Sequence, residues 1–251
     1  MKKKLLIIIF WLGVWEVLSR VISNPILIAG PLDTLKTLYE MLSEKKFYLA
    51  VRNSFLNITG GIFLGAFIGI FSAALSGAFG IIEDFLSPFI KVLKSIPVVS
   101  FVVIVLLWFG NTHLSLEISA VITMPLFYLS YLEGIKCTDK KMLEMAAVFK
   151  MSFLSKVRYI YLPSLKGTIK SSLSLAVGMG WRSGAAAEVI GQPMDTLGNG
   201  LYRAKIFLET DRLFAWTVVI ILMSVLSEKI FRRLLDLLWR DKEKNNTGSR
   251  T

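Results

Sequence analysis

The sequence predicts an all-α fold, a polytopic membrane helical bundle with about six transmembrane helices. Three observations carry that expectation. Hydrophobic residues make up 54% of the 251 and charged residues only 19%, whereas a soluble domain carries about 25% charge and at most about half apolar residues. The apolar residues gather into runs at roughly 5–22, 54–78, 85–109, 114–134, 168–190 and 213–232, each near the ~20 residues a helix needs to cross a bilayer core. The strict alternation of a β-barrel is absent, and in lipid only helices and closed barrels satisfy every backbone group.

The first run follows Lys2-Lys3-Lys4, as a secretory signal would. No small-x-small cleavage site follows, and Glu16 and Arg20 stand where it should be, so a retained first helix is expected. Pro25 and Pro31 bracket an extended stretch. Asp33 then reads as the cap of a short amphipathic helix with Leu35, Leu38, Tyr39 and Leu42 at helical spacing, suited to lying along the outer membrane surface. Residues 1–53 thus form a first helix with an external segment, and 54–239 the core.

The second span carries Gly61, Gly65, Gly69, Ala73 and Gly77. Steps of four place them on nearly one face, where another helix can approach backbone to backbone. Glycine is common in membrane helices generally, but strict register favours a packing seam. The third span is interrupted by Pro88 and Pro97, and Lys94-Ser95-Ile96-Pro97 is either a bend facing a translocation path or a plain kink. A polar turn, Gly110 to Ser115, leads into the fourth.

Between the fourth and fifth spans lies the longest polar stretch, about 135–167. Thr138-Asp139 starts a helix on which Met142, Ala146, Phe149 and Phe153 form an apolar stripe flanked by Leu143, Ala147 and Leu154; Leu162-Pro163 closes the stretch. Apolar surface on a loop calls for a cover, either the chain's own bundle or a partner. The fifth span contains Arg182 and Glu188, ionisable groups that in a membrane face the bundle interior or a wet cavity. Arg182 lies some fourteen residues past the span's start, about 21 Å along a helix. It can line a path for a small anion, pair with Glu188, or snorkel. Ser174, Trp181 and Ser183 are weaker pathway candidates. The tail, 240–251, is polar and expected to be disordered.

The net charge of +11 needs no nucleic acid. With the amino terminus inside, twenty lysines and arginines face the cytoplasm and eight the outside, the positive-inside pattern of a cell-membrane protein with both termini cytoplasmic. Lys45, Lys46 and Arg52 run against it. Cys137 and His113 are each the sole residue of their kind, so no intramolecular disulfide and no His/Cys metal cluster is expected. No phosphate-binding Gly-x-x-x-x-Gly-Lys loop is present, and Gly178-x-Gly180 lacks dinucleotide-loop surroundings. No catalytic residue, cofactor or metal is expected.

Glu144-Met145-Ala146 … Ile160-Tyr161-Leu162-Pro163 resembles the EAA loop of ABC-importer permeases, with the spacing from Glu to Pro kept without a gap. Pro88 … Lys94-Ser95-Ile96-Pro97 … Leu107-Trp108-Phe109-Gly110 is similar to that family's third span. Trp181, Glu188, Gly191 and Leu197-Gly198 are similar to the end of its fifth. Together they resemble the nitrate, taurine and aliphatic-sulfonate branch, over nearly the whole chain. The resemblance implies a prokaryotic inner-membrane permease that moves a small solute by alternating access. It also implies a separate cytoplasmic ATPase, an extracellular binding protein and a second permease copy, with a cytoplasmic coupling helix between spans four and five (about 138–163). Glu144 would anchor the ATPase, and Met145, Ala146, Ala147, Phe149, Phe153, Leu162 and Pro163 would complete the coupling surface.

Two departures stand out. Met145 replaces a small residue, and Lys150 stands where the loop has glycine. Lysine resists a left-handed turn and is a good helix former, so a helix running on through Lys150 is expected. A secondary transporter or channel would also explain six spans and intramembrane charge, but leaves the stripe at 142–154 without a purpose. A membrane enzyme would need clustered His or carboxylates that the chain lacks.

Overall fold

The computed structural model describes residues 2–24 and 26–247, and all regular structure among them is helical. Pro25 and residues 248–251 lie outside the described residues. In chain order the helices are α1 (Lys2–Ile22), α2 (Pro31–Met41), α3 (Lys45–Ala78), α4 (Gly80–Ser95), α5 (Val98–Phe109), α6 (Leu114–Lys136), α7 (Lys140–Val148), α8 (Phe153–Lys156), a π-helical turn (Val157–Tyr161), α9 (Leu162–Gly191), α10 (Leu197–Ile206) and α11 (Thr210–Thr247).

Three helices combine membrane-crossing length with apolarity: α3, α6 and α11 over Thr210–Leu237. The α4–α5 pair qualifies together, but its two halves meet at 102°. The expected single kinked span is therefore two helices. Ile96, preceding Pro97, is pushed to the extended region (φ −76°, ψ 130°), and Pro97 becomes the residue that caps α5. Pro88, by contrast, is carried inside α4. α1 and α9, with 21 and 30 residues, reach about 32 and 45 Å at 1.5 Å per residue.

The core is α3, α6 and α9 in mutual contact. A Cβ on Gly61 would lie 2.2 Å from the Leu116 carbonyl oxygen, one on Gly65 2.6 Å from that of Ala120, and one on Gly69 2.5 Å from that of Met124. The ladder of α3 thus lies backbone against backbone on α6. Ala73 is buried and Gly77 meets Ile135 further along. From α9, Gly180 admits Ile62, and Gly184 admits Ile58 and Ser119. Trp181, Ile58, Ile62, Phe127, Val177, Leu197 and Val219 fill the space between these helices and α11. Polar ties fix α11 to α9: Lys170 Nζ lies 3.0 Å from Asp236 Oδ1, and Arg232 Nε donates to Ser174 Oγ at 2.6 Å.

Three boundaries differ from the sequence reading. α2 begins at Pro31 with Gly30 as its cap, so Asp33 sits within the first turn, where its charge suits the helix dipole. α3 begins at Lys45, well before residue 54; Lys45, Lys46 and Arg52 ride on its first turns. α11 continues as helix to Thr247, past the Arg240 boundary set for a disordered tail, because its Arg, Lys and Glu residues are good helix formers extending a helix already nucleated.

Candidate functional site

The segment between α6 and α9 is built from two capped pieces. Asp139 accepts from the Lys141 amide at 2.9 Å and starts α7. The helix ends at Val148. The Lys150 amide bonds the Ala147 carbonyl at 3.0 Å and the Met151 amide that of Ala146 at 2.9 Å, the paired bonds of a Schellman cap. That cap requires a left-handed residue, and Lys150 supplies it at φ 49°. The expected continuous helix through Lys150 is thus overturned. The two cap bonds, followed by the Ser152 cap of α8, outweigh the steric cost that glycine would have spared.

This break divides the apolar stripe. Ala146 is wholly buried within the chain, while Val148, Phe149, Phe153 and Leu154 are 79%, 74%, 71% and 78% exposed. Met142, Met145, Ala147 and Glu144 are also exposed. Phe153 lines one wall of an apolar cavity of about 230 Å³ with Gly77, Tyr131, Tyr161, Leu165 and Ile169. Leu162-Pro163 does not close the segment; it lies inside a helix that runs from Phe153 to Gly191. Proline cannot donate to the Tyr159 carbonyl and its ring crowds that oxygen. The backbone answers with a π turn just ahead, where the Leu162 amide reaches Val157.

The pathway candidates fall into different environments. Pro97 is exposed at the α4–α5 break. Ser174 is engaged by Arg232. Trp181 and Ser183 are buried in the helix packing. Arg182 is exposed, and Nε donates to the Gly178 carbonyl of its own helix at 3.2 Å. It does not pair with Glu188. Six residues at 100° place the two side chains about 120° apart around the helix. Glu188 is instead fully buried, with Oε2 accepting from Ser54 Oγ at 2.7 Å and from the Gly198 amide at 3.1 Å. Ser54 and Thr196, which share in this cluster, escaped the sequence reading. Thr196 has the signature of a helix cap, but nothing local marks Ser54. Among the described residues no three His, Cys, Asp or Glu side chains gather as a metal site needs.

A polytopic helical bundle with an exposed apolar segment at one end of its long central helix has the build of a membrane transport subunit. Residues 61–241 match the family of binding-protein-dependent transport system inner membrane components, and the chain belongs to that family. Among curated relatives, the putative aliphatic sulfonates transport permease protein SsuC of Bacillus subtilis is 24% identical, over 92% of this chain and 84% of that protein. The taurine transport system permease protein TauC of Escherichia coli is 25% identical over 88% and 82%. The formylaminopyrimidine transport permease protein ThiX of Halalkalibacterium halodurans is 23% identical over 92% of each. A solved amino acid ABC transporter shares the fold with a TM-score of 0.56 at 22% identity, over 85% of this chain and 99% of that one.

The chain is accordingly a non-catalytic permease subunit of an ATP-driven importer in a prokaryotic membrane, which implies an ATPase partner and usually a binding protein. The competing expectation of a secondary transporter or channel does not fit that family.

Proposed function

We propose that residues 138–163 form the surface on which the ATPase docks, and that the chain pairs with a second copy to enclose the path of a small anionic solute. The observation that carries the docking reading is the row of exposed apolar side chains at Val148, Phe149, Phe153 and Leu154. Lys150 falls within the row, with Lys140 and Lys141 before it and Lys156 after it, so the row is ill suited to either water or lipid alone. Glu144 and Met145 flank it, and Leu162-Pro163 sets the angle at which it leaves the bundle. The concentration of basic residues on this side supports a reading with it and both termini in the cytoplasm and the binding protein at the far face.

Arg182 supports the pathway reading. A guanidinium that donates to a carbonyl of its own helix, midway along a span, is costly against lipid. Leu175, Arg182 and Ala186 share one exposed face of α9, which a second copy would cover. The relatives named for sulfonates and taurine support an anion such as a sulfonate, taurine or nitrate. Calorimetry on the partner binding protein identifies the solute, and Arg182→Gln in vesicles then checks the path: unchanged anion uptake defeats the pathway role.

Docking is checked with Glu144→Lys combined with Phe149→Asp, because Ala146 is buried and its substitution would damage α7 itself. Loss of an aromatic anchor costs about 2 kcal/mol or more, a roughly thirtyfold weaker complex. Undiminished capture of the ATPase in a pull-down counts against the docking surface.

A further inference from the structure

We propose that Glu188 is a positioning residue that clamps α10 to the end of α9, so that displacement of α7 reaches the opposite face of the bundle through one rigid body. The chain from Phe153 to Gly191 is unbroken helix, 39 residues and about 58 Å at 1.5 Å per residue. α7 adjoins one end of it and α10 the other. At the α10 end the polar groups close on each other. The Leu197 amide donates to Ser54 Oγ at 2.8 Å, Ser54 Oγ donates to Glu188 Oε2 at 2.7 Å, and the Gly198 amide donates to the same carboxylate oxygen at 3.1 Å. Thr196 Oγ1 accepts from the Asn199 amide at 3.3 Å. The first free amides of α10 are therefore held from α3, from α9 and from its own cap, and the carboxylate stands at the positive end of the helix dipole.

The contact is also steric. A Cβ on Gly198 would lie 2.3 Å from Glu188 Cβ and 2.6 Å from the Val189 amide nitrogen, so α10 rests directly on the backbone of α9. The turn between them is tightened by left-handed Gln192 and Asp195, and Asn53 of α3 donates to the Asp195 carbonyl at 3.0 Å. Glu188 is fully buried, with the buried Ser115 hydroxyl beside its carboxylate. A carboxylate kept so fully from water is retained for the donors it holds. An aliphatic side chain would pack here without such a cost, but would leave the Gly198 amide without its acceptor and Ser54 Oγ without the carboxylate it donates to.

The inference rests on the docking reading of α7, and its test is read only on assembled complex, so failure of docking and failure of the clamp are distinguishable. In a Cys137→Ser background, Met194→Cys, exposed in the α9–α10 turn, is labelled with a membrane-impermeant maleimide. The permease–ATPase complex is held in proteoliposomes, nucleotide-free or vanadate-trapped. The expected result is a labelling rate that differs between the two states with Glu188 or Glu188→Gln, whose amide oxygen still accepts both bonds. In Glu188→Ala the difference disappears while the ATPase stays bound and hydrolyses ATP. A full difference in Glu188→Ala, or none in the unsubstituted chain, overturns the clamp. If Glu188→Ala does not assemble, Ser54→Ala takes its place; it removes one donor to the carboxylate and the acceptor for Leu197, and an undiminished difference there overturns the proposal equally.

Discussion

Lys150 occupies a left-handed position, at φ 49°, that costs a residue with a Cβ about 1–2 kcal/mol. Lys150→Gly is therefore expected to stabilise the detergent-solubilised protein by about 1 kcal/mol, read as a rise in thermal midpoint; a fall would show that the lysine side chain contributes more than its backbone costs. The opposite sign is expected at Gly65. A methyl there would meet Thr123 Oγ1 at 2.2 Å as well as backbone atoms of α6, so Gly65→Ala should destabilise by about 1–3 kcal/mol through overpacking. Gly13 has nothing within 4 Å of the same methyl. Gly13→Ala serves as the control, with a gain of up to about 1 kcal/mol from helix propensity. The same midpoint measurement orders all three.

At the level of elements, the π turn at Val157–Tyr161 sets how α8 and the turn before it are aimed relative to α9. One extra residue in a turn rotates everything before it by about 100°. Pro163→Ala gives the Tyr159 carbonyl a donor and removes the ring that crowds it, which favours a regular helix. The expected outcome is a protein as stable as before whose ATPase capture is weakened, seen by comparing the thermal midpoint with a pull-down. Equal capture would mean that the π turn does not aim the docking surface. This element was half legible. The polar start at Asp139 and the apolar residues after it were readable from local pattern. The division of the stripe between α7 and α8 was not, because helix propensity at Lys150 was outweighed by cap bonds to carbonyls three and five residues back. Likewise a proline within an apolar run reads as a kink. Whether the helix tolerates it, as at Pro88, or breaks by 102°, as at Pro97, depends on what the freed carbonyls meet.

For the whole molecule, the charge pattern makes a claim about orientation that thiol labelling checks. In a Cys137→Ser background, Lys141→Cys on α7 should react with impermeant reagent only from the cytoplasmic side, and Arg203→Cys on α10 only from the other. Reaction of both from one side would refute the arrangement, since α7 and α10 adjoin opposite ends of α9. Pairing of two copies is checked by Ala186→Cys on the uncovered face of α9, where oxidation should yield a cross-linked dimer.

The fold class, the long apolar runs, the small-residue ladder and the apolar stripe after the fourth run were all legible in the sequence itself. Each is a local or periodic property: long apolar runs, steps of four, or a motif whose spacing lies within one stretch of chain. The partners of the buried charge were decided only in three dimensions. A pair between Arg182 and Glu188 was one of three readings that their closeness in sequence left open, but helix rotation separates them. Glu188 finds its partners in Ser54, 134 residues away, and in the amide of Gly198. A hydrogen bond between distant helices leaves no periodic trace in the chain; it exists only once packing has brought its two ends within reach.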